Sequence, residues 1–135
     1  MKDYIKIGID KKLIDIIDDG KKILYTHQNK KYNYKDPEEQ VIASYYIELV
    51  ERYEYPPQRI NFEIPIPRRI QGDYADIVVF KDDEQKEPYI VVECKKDAIS
   101  DAEFLQAIEQ AFGNANNLNA HFISVVSGIT IKSFN

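Results

Sequence analysis

Two apolar runs separated by a short polar segment constrain the fold of this chain more than any other feature. The runs are "YADIVVF", residues 74–80, and "PYIVVEC", residues 88–94, and both are rich in Val and Ile. Such runs favour strands, and the polar, Pro-bounded "KDDEQKE" between them has the composition of a turn. The pattern therefore predicts an antiparallel hairpin.

The segment ahead of this hairpin predicts a helix and a strand. In "DPEEQVIASYYIELVERY", Asp36 is a plausible N-cap and Pro37 occupies the first helical position, with Glu38 and Glu39 in the first turn, where carboxylates suit the helix dipole. The following "YPP" ends the helix. Next, "INFEIPI" alternates apolar and polar residues, which is strand periodicity.

The segment after the hairpin predicts a second helix and two strands. "SDAEFLQAIEQAFGNANNL" has Ser100 or Asp101 as its cap, and "HFISVV" and "ITIKSF" are strands around a turn. Before residue 36 we expect a short helix at "KLIDIID" and a strand at "KKILYTHQ". The element order predicts an α/β (α+β) fold around a mixed sheet. The predicted sheet-facing stripe of the second helix is Ala102, Leu105, Ile108, Ala111, Phe112 and Ala115.

Length and composition exclude several classes of protein. At 135 residues we expect a single domain, 1–135, and no apolar run approaches the ~20 residues that cross a bilayer. With no secretory signal in the sequence, we expect a cytoplasmic protein without a membrane partner. Cys94 is the single cysteine, so neither an internal disulfide nor a cysteine-based zinc site is expected. The net charge of -5 argues mildly against tight nucleic-acid binding.

Three charged residues interrupt the apolar hairpin: Asp76, Glu93 and Lys95. A symmetric loop would pair Phe80 with Tyr89 and place Asp76 opposite Glu93, and alternation puts Lys95 on the same face. Facing carboxylates repel unless a cation or a proton joins them. A hard divalent ion such as Mg²⁺ fits this arrangement, with the lysine near a metal-bound water or a phosphate.

The same residues have a structural interpretation. Asp76 can cap or turn its strand, and Glu93 and Lys95 can form an edge-strand ion pair worth at most ~1 kcal/mol. Both acids, however, adjoin apolar runs of buried character, where a purely structural carboxylate would be costly. At this point both interpretations stay open.

The wider pattern resembles a known family. "GDYADIVVF" followed by "YIVVECKK" looks like the core of the PD-(D/E)xK nuclease superfamily. With "DPEEQVIASYYIELVERYEYP" before it and "EQAFGNANNL" and "FISVVSGITI" after it, the chain from about residue 36 to its end resembles the N-terminal nuclease domain of type I restriction enzyme R subunits. The resemblance implies a restriction-endonuclease-like mixed central β-sheet flanked by helices. It favours the N-terminal part of a longer chain over a short stand-alone nuclease-like protein.

The resemblance also implies roles for individual residues. Asp76 and Glu93 become metal ligands, the backbone carbonyl of Cys94 a further ligand, and Lys95 the catalytic lysine. A helix acid falls on Glu39, with Glu38 as the alternative. Gln110 matches the family's glutamine on the next helix, whereas Asn114 stands where the family has an aromatic residue.

The implied function is Mg²⁺-dependent cleavage of double-stranded DNA together with the methylation and specificity subunits of a restriction-modification complex. Arg68 and Arg69 are candidates for phosphate contacts, and ordinary solvated loop charges explain them equally well. No G-x-x-x-x-G-K-[ST] loop occurs, so we expect no ATP site in this chain. Two alternatives remain: an inactive nuclease-like module that binds DNA or docks partner subunits, and a related nuclease acting on a branched or different nucleic acid.

Overall fold

A computed structural model of the protein describes residues 2–67, 73–128 and 130–134. The chain forms two compact units, Met1–Gln58 and Arg59–Asn135, each of which is described by itself. The expectation of a single domain, 1–135, stays a prediction. Within the described parts of the chain, no helix is long and apolar enough to cross a membrane.

The first unit contains two helices and a three-stranded antiparallel sheet of order β1-β2-β3. The longer helix begins as predicted, because the Asp36 side chain accepts a hydrogen bond from the Glu38 backbone N–H at 3.0 Å. It ends before the Pro-rich segment, as expected. The elements are α1 (Tyr4–Asp10), β1 (Ile14–Ile17), β2 (Lys22–Tyr25), β3 (Lys30–Asn33) and α2 (Pro37–Glu51).

The predicted helix at "KLIDIID" is wrong, because residues 14–17 form strand β1. Ile14 pairs with Tyr25 and Ile16 with Ile23, so the segment alternates as a strand does. The turn between β1 and β2 explains this: Asp18, Asp19 and Gly20 all have positive φ, the backbone that tight hairpins require.

The second unit is a five-stranded mixed sheet of order β4-β5-β6-β7-β8 with one covering helix. Neighbouring strands are antiparallel except β6 and β7, which are parallel and are joined by the crossover helix. The mixed α+β fold class predicted from the sequence is therefore confirmed. After a 3₁₀ turn (Pro57–Arg59) the elements are β4 (Ile60–Pro65), β5 (Tyr74–Phe80), β6 (Pro88–Lys95), α3 (Asp101–Leu118), β7 (Phe122–Ser127) and β8 (Thr130–Phe134).

Helix α3 packs on the sheet through small side chains. Ser100 caps it in a reciprocal pair with Glu103, which selects Ser100 over Asp101. The predicted stripe is partly wrong, because Leu105 and Phe112 are 55% and 45% exposed. Small residues let the helix backbone approach the strands closely and turn the larger side chains toward the helix flanks. The buried helix residues are Ala107, Ala111, Asn114 and Ala115.

Gly128 directly follows β7 and lies very close to the side chain of Asp97. Its φ is +55°, and an added Cβ would lie against the Asp97 carboxylate, 2.6 Å from its Cγ. We expect Gly128→Ala to lower the free energy of unfolding by at least ~1–3 kcal/mol, the usual cost of a strained left-handed residue. Urea unfolding followed by circular dichroism measures the loss.

Gly20 supplies the matched control, because its φ is +83° but an added Cβ would meet only Lys35 Nζ, at 3.9 Å. Gly20→Ala should therefore show the backbone cost without the steric clash. Equal losses in both variants would contradict the close approach at Gly128.

Candidate functional site

The register of β5 and β6 places two carboxylates opposite each other. Ile77 pairs with Val92, Val78 with Val91 and Val79 with Ile90. Continuing this ladder by one residue sets Asp76 opposite Glu93, as predicted from a symmetric loop.

The other end of the ladder differs from the prediction. Phe80 pairs with Pro88 rather than Tyr89, because the register shifts between Val79 and Phe80. This irregularity lies next to the polar loop. It leaves the Asp76 end of the hairpin unchanged.

Both carboxylates share the sheet face that α3 covers. Residues two apart on a strand point to the same side, so Asp76 follows Val78 and Glu93 follows Val91 on one face. Val78 and Val91 belong to the buried cluster that includes Ala111 of α3. The acids therefore lie at the edge of an apolar layer.

Specific hydrogen bonds hold the two carboxylates in place. Asp76 Oδ2 accepts from the Cys94 backbone N–H at 2.8 Å, which ties β5 to β6 at this point. Glu93 Oε1 accepts from Asn114 Nδ2 at 2.9 Å, and the Glu93 carboxyl also hydrogen-bonds to Asp76. Two facing carboxyl groups can make such a bond only when one carries a proton.

The electrostatics explain which acid is protonated. Glu93 is only 1% exposed, and burial, followed by the negative charge of Asp76, raises the pKa of Glu93 from 4.5 to about 9. The Asn114 hydrogen bond and the Lys95 charge lower that pKa, but they do not offset burial. At neutral pH the pair therefore shares one proton that a divalent cation could replace.

Lys95 supplies a positive charge next to this pair. It lies two residues after Glu93 at the end of β6, opposite Ser127 of β7, and it is half-buried. Its charge acts on the Glu93 carboxyl, yet Nζ makes no ion pair within 4 Å with any acid in the described parts of the chain. The ammonium group is thus left available to a ligand.

A comparison with family models matches residues 37–135 to the family described as "Type I restriction enzyme R protein N terminus". The chain belongs to this family. The matched segment agrees with the resemblance expected from about residue 36 onward, and it contains Asp76, Glu93 and Lys95. A search of curated proteins and a search of solved structures each found no match.

Family membership indicates a restriction-related role for this R protein N terminus. The site residues that the sequence predicts lie in both units of the chain. Asp76, Glu93, Lys95 and Gln110 lie in the second unit, and the first three are brought together there.

Glu39 lies on α2 of the first unit and is 8% exposed. Its Oε2 accepts a hydrogen bond from the Tyr25 hydroxyl at 2.5 Å, whereas Glu38 is only half-buried. A buried acid held by a buried tyrosine is the stronger candidate of the two. Its role as a metal ligand stays a prediction.

Two further assignments stay predictions in this R protein N terminus. The Cys94 side chain is fully buried, and the ligand role of its backbone carbonyl stays a prediction. Gln110 is half-buried and lies one helical turn before Asn114, on the same side of α3. Arg68 and Arg69 lie outside the described residues.

The donor set around the pair suits a hard cation. It consists of carboxylate oxygens on a rigid sheet, and Mg²⁺ is commonly held by one or two carboxylates while it keeps several waters. Among the described residues of the second unit, no third His, Cys, Asp or Glu completes a metal cluster with them. The residues present therefore fit a Mg²⁺-type site with few protein ligands.

Sequence reasoning missed the part that Asn114 plays in this site. Asn114 is 1% exposed and contacts Glu93 directly, although the sequence marked it only as a departure from the family pattern. The available signal was its position one turn after Gln110 and next to Ala115 in a small-residue stripe. Tyr25, the partner of Glu39, had no signal, because it lies in the segment that the sequence describes least well.

Proposed function

We propose that this chain is a Mg²⁺-dependent endonuclease domain of the PD-(D/E)xK type, which hydrolyses phosphodiester bonds in double-stranded DNA. The observation that carries the proposal is the Asp76–Glu93 carboxyl pair, which the register of β5 and β6 places beside Lys95 on one sheet face. Membership of the R protein N-terminus family supports a restriction-related role. The partners in this proposal are the methylation and specificity subunits, and the setting is the cytoplasm.

The residues take distinct roles in this proposal. Asp76 and Glu93 bind the metal, and the hydrogen bond from the Cys94 N–H keeps Asp76 oriented while they do so. The Cys94 carbonyl is a further ligand of the same site, and Gln110 supports that site from α3. When bound, Mg²⁺ would polarise the phosphate and lower the pKa of a water ligand.

Lys95 acts on the charge that develops in the reaction. Its ammonium group has no acid partner within 4 Å among the described residues, so it can orient the attacking water and stabilise negative charge on the phosphate. The half-buried position strengthens that interaction relative to bulk water.

The net charge of -5 favours a second candidate, in which the domain is an inactive module that docks partner subunits. An acidic domain binds DNA weakly by itself, because its net charge repels the phosphates. The two candidates differ in metal binding, since a docking module has no need of a metal.

Calorimetric titration of Mn²⁺ and Mg²⁺ tests the proposed site. We expect wild type to bind one ion, and Asp76→Ala and Glu93→Ala to lose that binding, because each removes one of two carboxylate ligands. Circular dichroism would establish that both variants remain folded.

Glu109→Ala is the matched control, because Glu109 is an exposed acid on α3 and its loss should leave metal affinity unchanged. Binding that persists in both site variants would remove the metal from the proposal. An absence of binding in wild type, even with DNA added, would favour the docking module.

A further inference from the structure

Asn114 is a polar side chain in an otherwise small and apolar stripe of α3. It is 1% exposed, and its buried neighbours on the helix are Ala107, Ala111 and Ala115. A buried amide costs free energy unless its donor and acceptor groups are bonded. An asparagine at this position therefore needs an acceptor for its Nδ2 and a donor for its Oδ1.

The two halves of the amide are in different situations. Nδ2 donates to Glu93 Oε1 at 2.9 Å and lies 3.5 Å from the Tyr74 carbonyl oxygen. Oδ1 is buried and has no hydrogen-bond partner among the described residues. Such an orphan acceptor next to a carboxyl pair indicates that a proton-bearing ligand completes the site.

We propose that Asn114 is a positioning residue of the metal site. Its Nδ2 holds the Glu93 carboxylate in its binding orientation, and its Oδ1 accepts a hydrogen bond from a water molecule of the loaded site. This inference rests on the proposed metal-binding function of Asp76 and Glu93. It comes from the contacts of this chain, since the family resemblance implies an aromatic residue here.

The hydrogen bond from Asn114 has a physical consequence for binding. A glutamate side chain has several rotatable bonds, and fixing one oxygen removes freedom that a metal would otherwise have to remove. Groups that orient metal ligands in this way typically change metal affinity 10–100-fold.

The test is calorimetric titration of Mn²⁺ into wild type and Asn114→Leu. Leu has a similar volume and neither polar group, so we expect the dissociation constant to rise about 10- to 100-fold. Asn117→Leu is the matched control, because Asn117 lies on the same helix and its side chain, among the described residues, bonds only to the Gly113 carbonyl, at 2.9 Å. Its affinity should equal that of wild type.

Stability in EDTA separates positioning from packing. Asn114→Leu removes a buried acceptor that has no partner among the described residues, which favours folding, and it leaves Glu93 Oε1 without its donor, which disfavours folding. Because these two effects offset each other, the urea midpoint should change little while metal affinity falls. Asn114→Ala gives the same comparison if the leucine does not fit. Parallel losses of stability and affinity would overturn the inference in favour of a packing role.

The outcomes also separate this inference from the proposed function. Wild-type affinity in folded Asn114→Leu and Asn114→Ala would overturn the positioning role and leave the metal site in place. A wild type that binds no Mn²⁺ would overturn both.

Discussion

Replacing Lys95 with Met is expected to slow the cleavage of double-stranded DNA about 100- to 1,000-fold at saturating metal, as removing one preorganised charge-stabilising group does. The side chain is half-buried and makes no ion pair with a described acid, so its charge is available to the reacting phosphate. Met keeps the length and apolar stem of the lysine, which should preserve the fold. Nicking of supercoiled plasmid with Mn²⁺ or Mg²⁺ measures the effect.

The effect should appear in the rate more than in binding. The positive charge of Lys95 lowers the pKa of Glu93 and would repel a bound divalent cation for the same reason, so its loss should change metal affinity only modestly and should not weaken it. Saturating metal removes that contribution and leaves the rate effect. A loss confined to metal affinity would show that Lys95 tunes the carboxyl pair without touching the reaction.

Lys96→Met is the matched control for charge. Lys96 is exposed and follows Lys95 directly, so its replacement by Met removes the same unit charge one residue away. Comparable slowing in both variants would indicate general attraction of DNA and contradict a specific role for Lys95.

The parts of the fold that the sequence predicts well depend on local chemistry. The α2 start at Asp36 and the Ser100 cap of α3 each need only neighbouring residues, and both agree with the structure. The pairing of Asp76 with Glu93 followed from strand alternation and a symmetric loop. It survives because the register shift lies at Phe80, between the loop and the rest of the ladder.

The parts that the sequence predicts poorly depend on tertiary context. After "KLIDII" the chain turns at Asp18, Asp19 and Gly20, which all have positive φ, and this turn lets the segment pair as a strand. The letters "DDG" were the local sequence signal of that turn. On α3 the larger apolar residues Leu105 and Phe112 suggested the buried face. Close helix packing placed small residues there instead.

The candidate site shows the same division. Asp76, Glu93 and Lys95 belong to one hairpin, so strand geometry alone brings them together. Asn114 reaches Glu93 from a helix that follows later in the chain, and only the packing of α3 reveals that contact. Because asparagine is mostly exposed in folded proteins, a helical asparagine is expected to face solvent. The contact with Glu93 is therefore visible only in the structure.

Glu93→Gln is expected to stabilise the metal-free protein while it abolishes metal binding. In the folded protein burial and the Asp76 charge raise the pKa of Glu93 from 4.5 to about 9, so it keeps its proton at pH 7. The unfolded chain releases that proton, which favours unfolding by roughly 3 kcal/mol at pH 7. Gln is neutral in both states and has the shape of the protonated acid, so the variant avoids this cost.

The sign of the pH dependence follows from the same shift. Between pH 4.5 and about 9 the folded state binds one more proton at Glu93 than the unfolded state does, so wild-type stability falls as pH rises through that window. Below pH 4.5 Glu93 is protonated in both states and its contribution is constant. The difference between wild type and Glu93→Gln should therefore be small at pH 4.5 and grow toward pH 9.

Urea unfolding in EDTA at pH 5 and pH 8 measures this difference, with the exposed Glu109→Gln as the matched control. Parallel pH profiles for wild type and Glu93→Gln would contradict the protonated pair. Saturating Mn²⁺ should reverse the order, because it stabilises only the protein that still holds both carboxylates. Such a reversal would indicate that the buried acid lowers stability in exchange for a binding site, as functional residues often do.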